Sequence, residues 1–220
     1  MPRKELKMDI GYQNHILYED VRIAVPENGI VSILGDNGSG KSTLYKTLLG
    51  IIPPVKGEVP KDLAGQIAVV SDYVHLPEEV TVRDILCLLG PEKVSAAEKN
   101  HSDLHSYIMQ YQTQGIATLS SGQRRIVEIY AVLASGKKVI VLDEATNSLD
   151  VSNRQLFLTY VKKLSEGNIL FFHTSHEIHD AVFLGGTVYA LFPSARAVRQ
   201  FTGELTGDSL YRFLGYGVKA

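Results

Sequence analysis

Ile30 to Thr43 reads IVSILGDNGSGKST, an apolar run closed by a glycine-rich loop, a lysine and two hydroxyl residues. Gly35 to Ser42 has the spacing of a phosphate-binding loop, and its context is the required one, with a strand-like run before it and the helix-like LYKTLL after it. Glycines let successive backbone N–H groups turn inward on an anion, and the helix N-terminus adds its positive end. A chance glycine-rich turn has no reason to sit between a strand and a helix. On this reading Asn37, Gly38, Ser39, Gly40, Lys41, Ser42 and Thr43 bind the phosphates of a nucleotide. Lys41 reaches the β and γ phosphates, and Ser42 ligates Mg2+.

Working outward, residues 1 to about 34 alternate apolar and polar, as in ILYEDVRIAVPENGIVSIL, with Pro26 and Asn28-Gly29 punctuating strands joined by a turn. A helix is expected from Ser42 to Gly50, where IIPPVKGEV stops it. IAVV, residues 67 to 70, reads as a short strand, and Thr81 to Asp84 resembles a capping box opening a helix through DILCLL. Residues 80 to 118 read as a small, mostly helical insert. A helix over Ser121 to Ala134 follows, then the strand KVIVLD, a helix from about Val151 to Leu164, the strand NILFFHTS, a helix after His176 and the strand TVYALF. Strands alternating with helices predict an α/β fold, its largely parallel sheet covered on both faces. Residues 1–220 are expected to form one domain, with a helical subdomain over about 80–135. The tail from Thr202, TGELTGDSLYRFLGYGVKA, carries no readable chemistry.

VIVLDEAT, residues 139 to 146, is an apolar strand ending in two acids, whose pleat is expected to send Asp143 and Glu144 different ways. That separation allows two roles: Asp143 holding the Mg2+ shell, and Glu144 polarising the attacking water beside the γ phosphate. Alone, acids at a strand end are often merely solvated. Leu119-Ser120-Ser121-Gly122-Gln123 lies 20 residues before Asp143 and opens a helix, where hydroxyls and backbone N–H groups make an anion site. A plain serine N-cap explains the same residues.

Here the resemblance becomes specific. LSSGQ is similar to the LSGGQ signature of ABC ATPases and lies, as in that family, between the phosphate loop and the acidic strand. The resemblance implies a P-loop NTPase fold of ABC type, with a mostly parallel core, an N-terminal antiparallel β subdomain and a small helical subdomain. It also implies that Ser120, Ser121, Gly122 and Gln123 contact the γ phosphate held by a second ABC domain, in a homodimer or heterodimer. Further resemblances run from about residue 4 to 190. Tyr12 stands where the family stacks an aromatic on adenine, Ser148-Leu149-Asp150 resembles the D-loop, and His176 is similar to the switch histidine that touches the γ phosphate as a second catalytic group beside Glu144. Two departures stand out. Ser121 replaces a glycine, and Asp72 stands where the family has a glutamine that reaches Mg2+ and senses the membrane partner. A carboxylate also binds the cation, with a different charge and shorter reach. Along the helix RRIVEIYAVL, past its opening Arg124 and Arg125, the arginine and most of the small residues that commonly recur there are missing. His173, His176 and His179 also have a metal-like H-x2-H-x2-H spacing, but the expected strand-to-helix break between them argues against convergence.

Composition bounds the partners. The net charge is -2 with charged residues at 21%, which argues against a nucleic-acid partner. A single cysteine, Cys87, fits a reducing compartment. No stretch approaches the ~20 apolar residues that span a bilayer. The expectation is therefore an ATP-hydrolysing subunit, cytoplasmic and peripheral on the inner membrane face, driving separate transmembrane permease subunits. The short insert and lack of a regulatory extension after about residue 190 lean towards an exporter-type subunit. A soluble ABC ATPase of a non-transport assembly, for example of iron–sulfur cluster assembly type, is the alternative. A phosphate-loop kinase outside the ABC family, active as a monomer, is a third reading.

Overall fold

The computed structural model describes residues 4–12, 15–59, 67–71 and 76–216. Nine strands and eight α-helices are assigned among them, with two short 3-10 turns. The first two strands, β1 (Lys4–Tyr12) and β2 (His15–Val25), form an antiparallel pair, and the two-residue β4 (Lys56–Gly57) joins β1 on its other edge. The remaining strands are β3 (Gly29–Leu34), β5 (Ile67–Ser71), β6 (Val139–Asp143), β7 (Leu170–Ser175), β8 (Thr187–Phe192) and β9 (Ala197–Gln200). They make one sheet in the order β5-β6-β7-β3-β8-β9, parallel except for β9, which runs antiparallel to β8.

The β3, β6 and β7 strands lie inside this sheet and are buried along nearly their whole length, which is why they read as unbroken apolar runs. The pleat then divides their side chains. Val31, Ile33, Val139, Val141, Leu170 and Phe172 join one core cluster, which holds Leu44, Leu48 and the inward residues of β1 and β2. Ile30, Ile140, Leu142 and Phe171 turn to the other face. Each such side chain removed from water contributes roughly 1.5–3 kcal/mol before entropy is counted.

On that other face pack α5 (Ser121–Ala134) and α6 (Val151–Ser165), together with the helices α2 (Val82–Leu89), α3 (Pro91–Asn100) and α4 (Ser102–Met109). The helical stretch shares one continuous core with the sheet: Val82, Ile85, Leu104 and Ile108 lie in the same cluster as Ile140 and Phe157. Thr81 caps α2 with a true capping box, its side chain accepting from the Asp84 N–H while the Asp84 carboxylate accepts from Thr81. Arg125, buried on α5, donates to Glu128 at 2.7 Å and to the Ser71 carbonyl at 2.7 Å, which anchors α5 to the end of β5. Asp72, next in the chain, lies outside the described residues.

The chain beyond β8 is built, which the sequence reading did not foresee. It forms β9 and a last helix, α8 (Gly207–Leu214), whose Leu210 is fully buried against Leu34 and against Ile178 of α7 (Ile178–Leu184).

His173, in β7, is 1% exposed and faces Ser32 Oγ at 3.3 Å, and burial pushes its imidazole from the ordinary 6.5 down to about 4. The unfolded chain takes up this proton near pH 6.5 and the native one only near 4, so below pH 6.5 the unfolded state binds more protons. Stability is therefore expected to fall by roughly 2–3 kcal/mol from this residue between pH 7 and 4.5. Urea unfolding at the two pH values measures it, and His173→Asn should lose correspondingly less across that window.

Candidate functional site

The site lies where β3 and β6 end, at the carboxyl edge of the sheet. From Leu34 the chain turns through Gly35–Gly40 into α1 (Lys41–Leu48). Gly38 and Gly40 hold φ +78° and +95°, which side-chain-bearing residues rarely adopt, and Gly40 ends the turn as the α1 N-cap. No acid stands in the first turn of α1, so its N-terminal N–H groups remain free to meet an anion. Tyr18 Oη of β2 donates to the Ser39 carbonyl and fixes the loop to the small sheet, while burial pushes this phenol up to about 12.

The Lys41 ammonium, 4% exposed, donates to the Gly35 and Asp36 carbonyls at 2.9 and 3.1 Å and pairs with Glu144 Oε1 at 3.1 Å. Glu144 meets it because the chain bends sharply after β6. Glu144 sits at φ +51°, its N–H donating to the Thr174 carbonyl at 3.1 Å. The two acids thus diverge through a left-handed backbone turn, not through the strand pleat alone. Left-handed backbone at a non-glycine residue costs of order 1–3 kcal/mol and clusters at functional sites. Asn147 Nδ2 donates to the other Glu144 oxygen at 2.6 Å, and His176 Nδ1 lies 4.0 Å from it. Asn37, Gly38, Gly40, Lys41, Ser42, Thr43 and Glu144 line a cavity of about 410 Å³. Tyr12, about half exposed at the end of β1, has its hydroxyl 3.1 Å from Thr43 Oγ1.

Asp143 is 6% exposed and accepts from Tyr45 Oη at 2.8 Å, from Thr174 Oγ1 at 2.6 Å and from Ser42 Oγ at 3.5 Å. Burial and Asp143 both push the Tyr45 phenol up. A serine hydroxyl beside a carboxylate is the hard-oxygen donor set that suits Mg2+, which keeps waters as its remaining ligands, so the residues fit this ion. Tyr45 and Thr174 escaped the sequence reading. Tyr45 was accessible in principle, lying three residues past Ser42 and therefore on the same helical face.

Ser120 caps α5: its side chain accepts from the Gln123 N–H at 3.2 Å, and Gln123 Oε1 accepts from the Ser120 N–H at 2.9 Å. The plain N-cap role is thus real and compatible with an exposed anion site at the same turn. Gly122 is required by packing, since a Cβ there would come 2.1 Å from the Asn153 side chain. Asn153 in turn bonds Asp150, the N-cap of α6, which ties the signature turn to the D-loop. None of Ser120 to Gln123 lines the cavity around Lys41 of their own chain. The three histidines separate: His173 is buried in β7, His176 is partly exposed near Glu144, and His179 stacks edge-on to Tyr211. A larger cavity, about 540 Å³, is lined by Lys137, Lys163 and Asn168 among others. It lies at the amino ends of β6 and β7, away from the edge where such sheets bind ligands.

The ABC transporter family model matches residues 18–147. An uncharacterized ABC transporter ATP-binding protein of Haemophilus influenzae is 32% identical over 83% of this chain and 77% of its own length. The zinc import ATP-binding protein ZnuC of Rickettsia bellii is 30% identical over 78% of this chain and 74% of its own. Among solved structures, cbiO1 from Clostridium perfringens superposes with a TM-score of 0.75 at 20% identity, over 97% of this chain and 94% of that one. The chain belongs to the ABC transporter family, as an ATP-binding subunit whose ATPase activity is coupled to transport.

Proposed function

We propose that two copies of this chain, or this chain and a second ABC domain, close head to tail over two ATP molecules and drive separate transmembrane subunits. The observation that carries the reading is one cavity lined by Lys41, Ser42 and Glu144, with Lys41 3.1 Å from Glu144 and the buried Asp143 3.5 Å behind Ser42. ATP would enter by exchanging the Lys41–Glu144 ion pair for contacts between Lys41 and the phosphates. That releases the Glu144 carboxylate to accept a proton from water, while Asn147 fixes its other oxygen. His176 supplies a donor to the developing charge on the γ phosphate. Ser42 and Asp143 would hold Mg2+, and the ion would supply neutralisation of the phosphate charge. Asp72, where it follows Ser71, is proposed as a further contact to that ion.

Tyr12 is proposed to stack on adenine, consistent with its half-exposed ring above Thr43. The signature residues line no part of their own chain's cavity, which supports their use by the partner, with Asp150 beside them at the junction. No helix among the described residues is long and apolar enough to cross a membrane. The chain would therefore sit on the cytoplasmic membrane face through partner chains. The zinc-import name of the Rickettsia bellii relative favours import over the export direction suggested by the short insert, and a transporter over an iron–sulfur assembly ATPase.

Ser120→Arg tests the trans contact. The bulky cation should leave ATP binding to the separate chain intact and reduce turnover by at least about 10²-fold, by losing preorganised γ-phosphate donors. Undiminished ATPase in this variant would rule the shared site out and favour a monomeric phosphate-loop enzyme.

A further inference from the structure

The last helix is aimed at the phosphate loop. Thr206 and Ser209 cap α8 at its start, and Leu210 anchors it between Leu34, the residue before the loop, and Ile178, two residues past His176. Gly215 at φ +80° ends the helix, with the Tyr216 N–H donating back to the Tyr211 carbonyl at 3.0 Å. Tyr216 packs edge-on against Tyr211, which packs edge-on against His179. Held in this way, Tyr216 Oη donates to Asp36 Oδ1 inside the phosphate loop, 180 residues away.

Asp36 is a joint. Its carbonyl accepts from Lys41 Nζ and from the Ser39 N–H, both at 3.1 Å, while its carboxylate points outward to Tyr216. A carboxylate in a loop shaped for a triphosphate is an electrostatic liability, since like charges a few Å apart cost about 1 kcal/mol in water and more when desolvated. The Tyr216 hydroxyl turns that charge aside, and its own proton is secure because the bond to Asp36 and burial push the phenol up to about 12.

We propose that Tyr216 is a positioning residue of the nucleotide site, holding the Asp36 carboxylate away from the bound phosphates and fixing the carbonyl that seats Lys41. The C-terminal helix thereby sets ATP affinity. This rests on the nucleotide-binding reading above.

The test uses the full chain, with MgATP binding, steady-state kinetics and thermal melting on wild type, Tyr216→Phe, Asp36→Asn and the double variant. Tyr216→Phe should raise Kd and KM for ATP about five-fold, the scale of one ordinary hydrogen bond's net contribution, with kcat and melting temperature near wild type. Adding Asp36→Asn should restore most of that affinity, because the freed carboxylate no longer repels the phosphates. An unchanged Kd in Tyr216→Phe, or a raised Kd that Asp36→Asn does not rescue, would overturn the proposal. A wild-type chain that binds no ATP would instead overturn the reading beneath it.

Discussion

Lys41→Ala is expected to weaken MgATP binding by at least about 10²-fold, since it removes charge-assisted hydrogen bonds worth about 1.5–3 kcal/mol apiece. The effect should exceed a simple contact loss for a second reason. Lys41 neutralises Glu144, whose side chain is only 16% exposed. Without the ammonium, that carboxylate faces the incoming phosphates uncompensated, and like charges in a partly desolvated site repel strongly. Titration with ATP measures the loss. Lys41→Arg should recover only part of it, because a planar guanidinium does not fit between the Gly35 and Asp36 carbonyls as a compact ammonium does.

Glu144→Gln should have the opposite profile. The amide keeps the shape and the contact to Asn147 but accepts no proton, so turnover should drop about 10²- to 10³-fold while ATP stays bound. Removing the carboxylate also relieves its repulsion of the phosphates, so the Kd for ATP should not rise. Single-turnover kinetics beside equilibrium binding separate the two effects. If Glu144→Gln binds ATP poorly and hydrolyses what it binds at the normal rate, Glu144 serves binding and another group is the base.

Much of this site was legible in the sequence because its signals are local. A strand, a glycine loop and a helix in order identify Gly35 to Ser42 without knowledge of the rest, and the α5 limits of Ser121 and Ala134 follow from a serine cap and an apolar period. Residues that act across elements were not legible. Thr174 reaches Asp143 from β7, and only the parallel register that pairs Asp143 with Thr174 brings them together. The left-handed turn at Glu144 depends on the Thr174 carbonyl accepting its N–H, again across strands.

The tail escaped for a related reason. Its capping box closes on Ser209, where the sequence pattern calls for glutamate or glutamine, and α8 is only eight residues long. Its stability comes from Leu210 burying against Leu34 and Ile178, which lie far away in sequence. The tail, Tyr216 included, consequently carried no readable chemistry in the sequence. The described structure makes it a partner of the phosphate loop.

The most direct test of shared catalysis is the solution mass of Glu144→Gln, measured by light scattering behind a sizing column with and without MgATP. Head-to-tail closure over two nucleotides predicts the mass of one chain without ATP and of two chains with it, the dimer being lost again when Ser120→Arg is added. A single-chain mass with ATP demonstrably bound would contradict it.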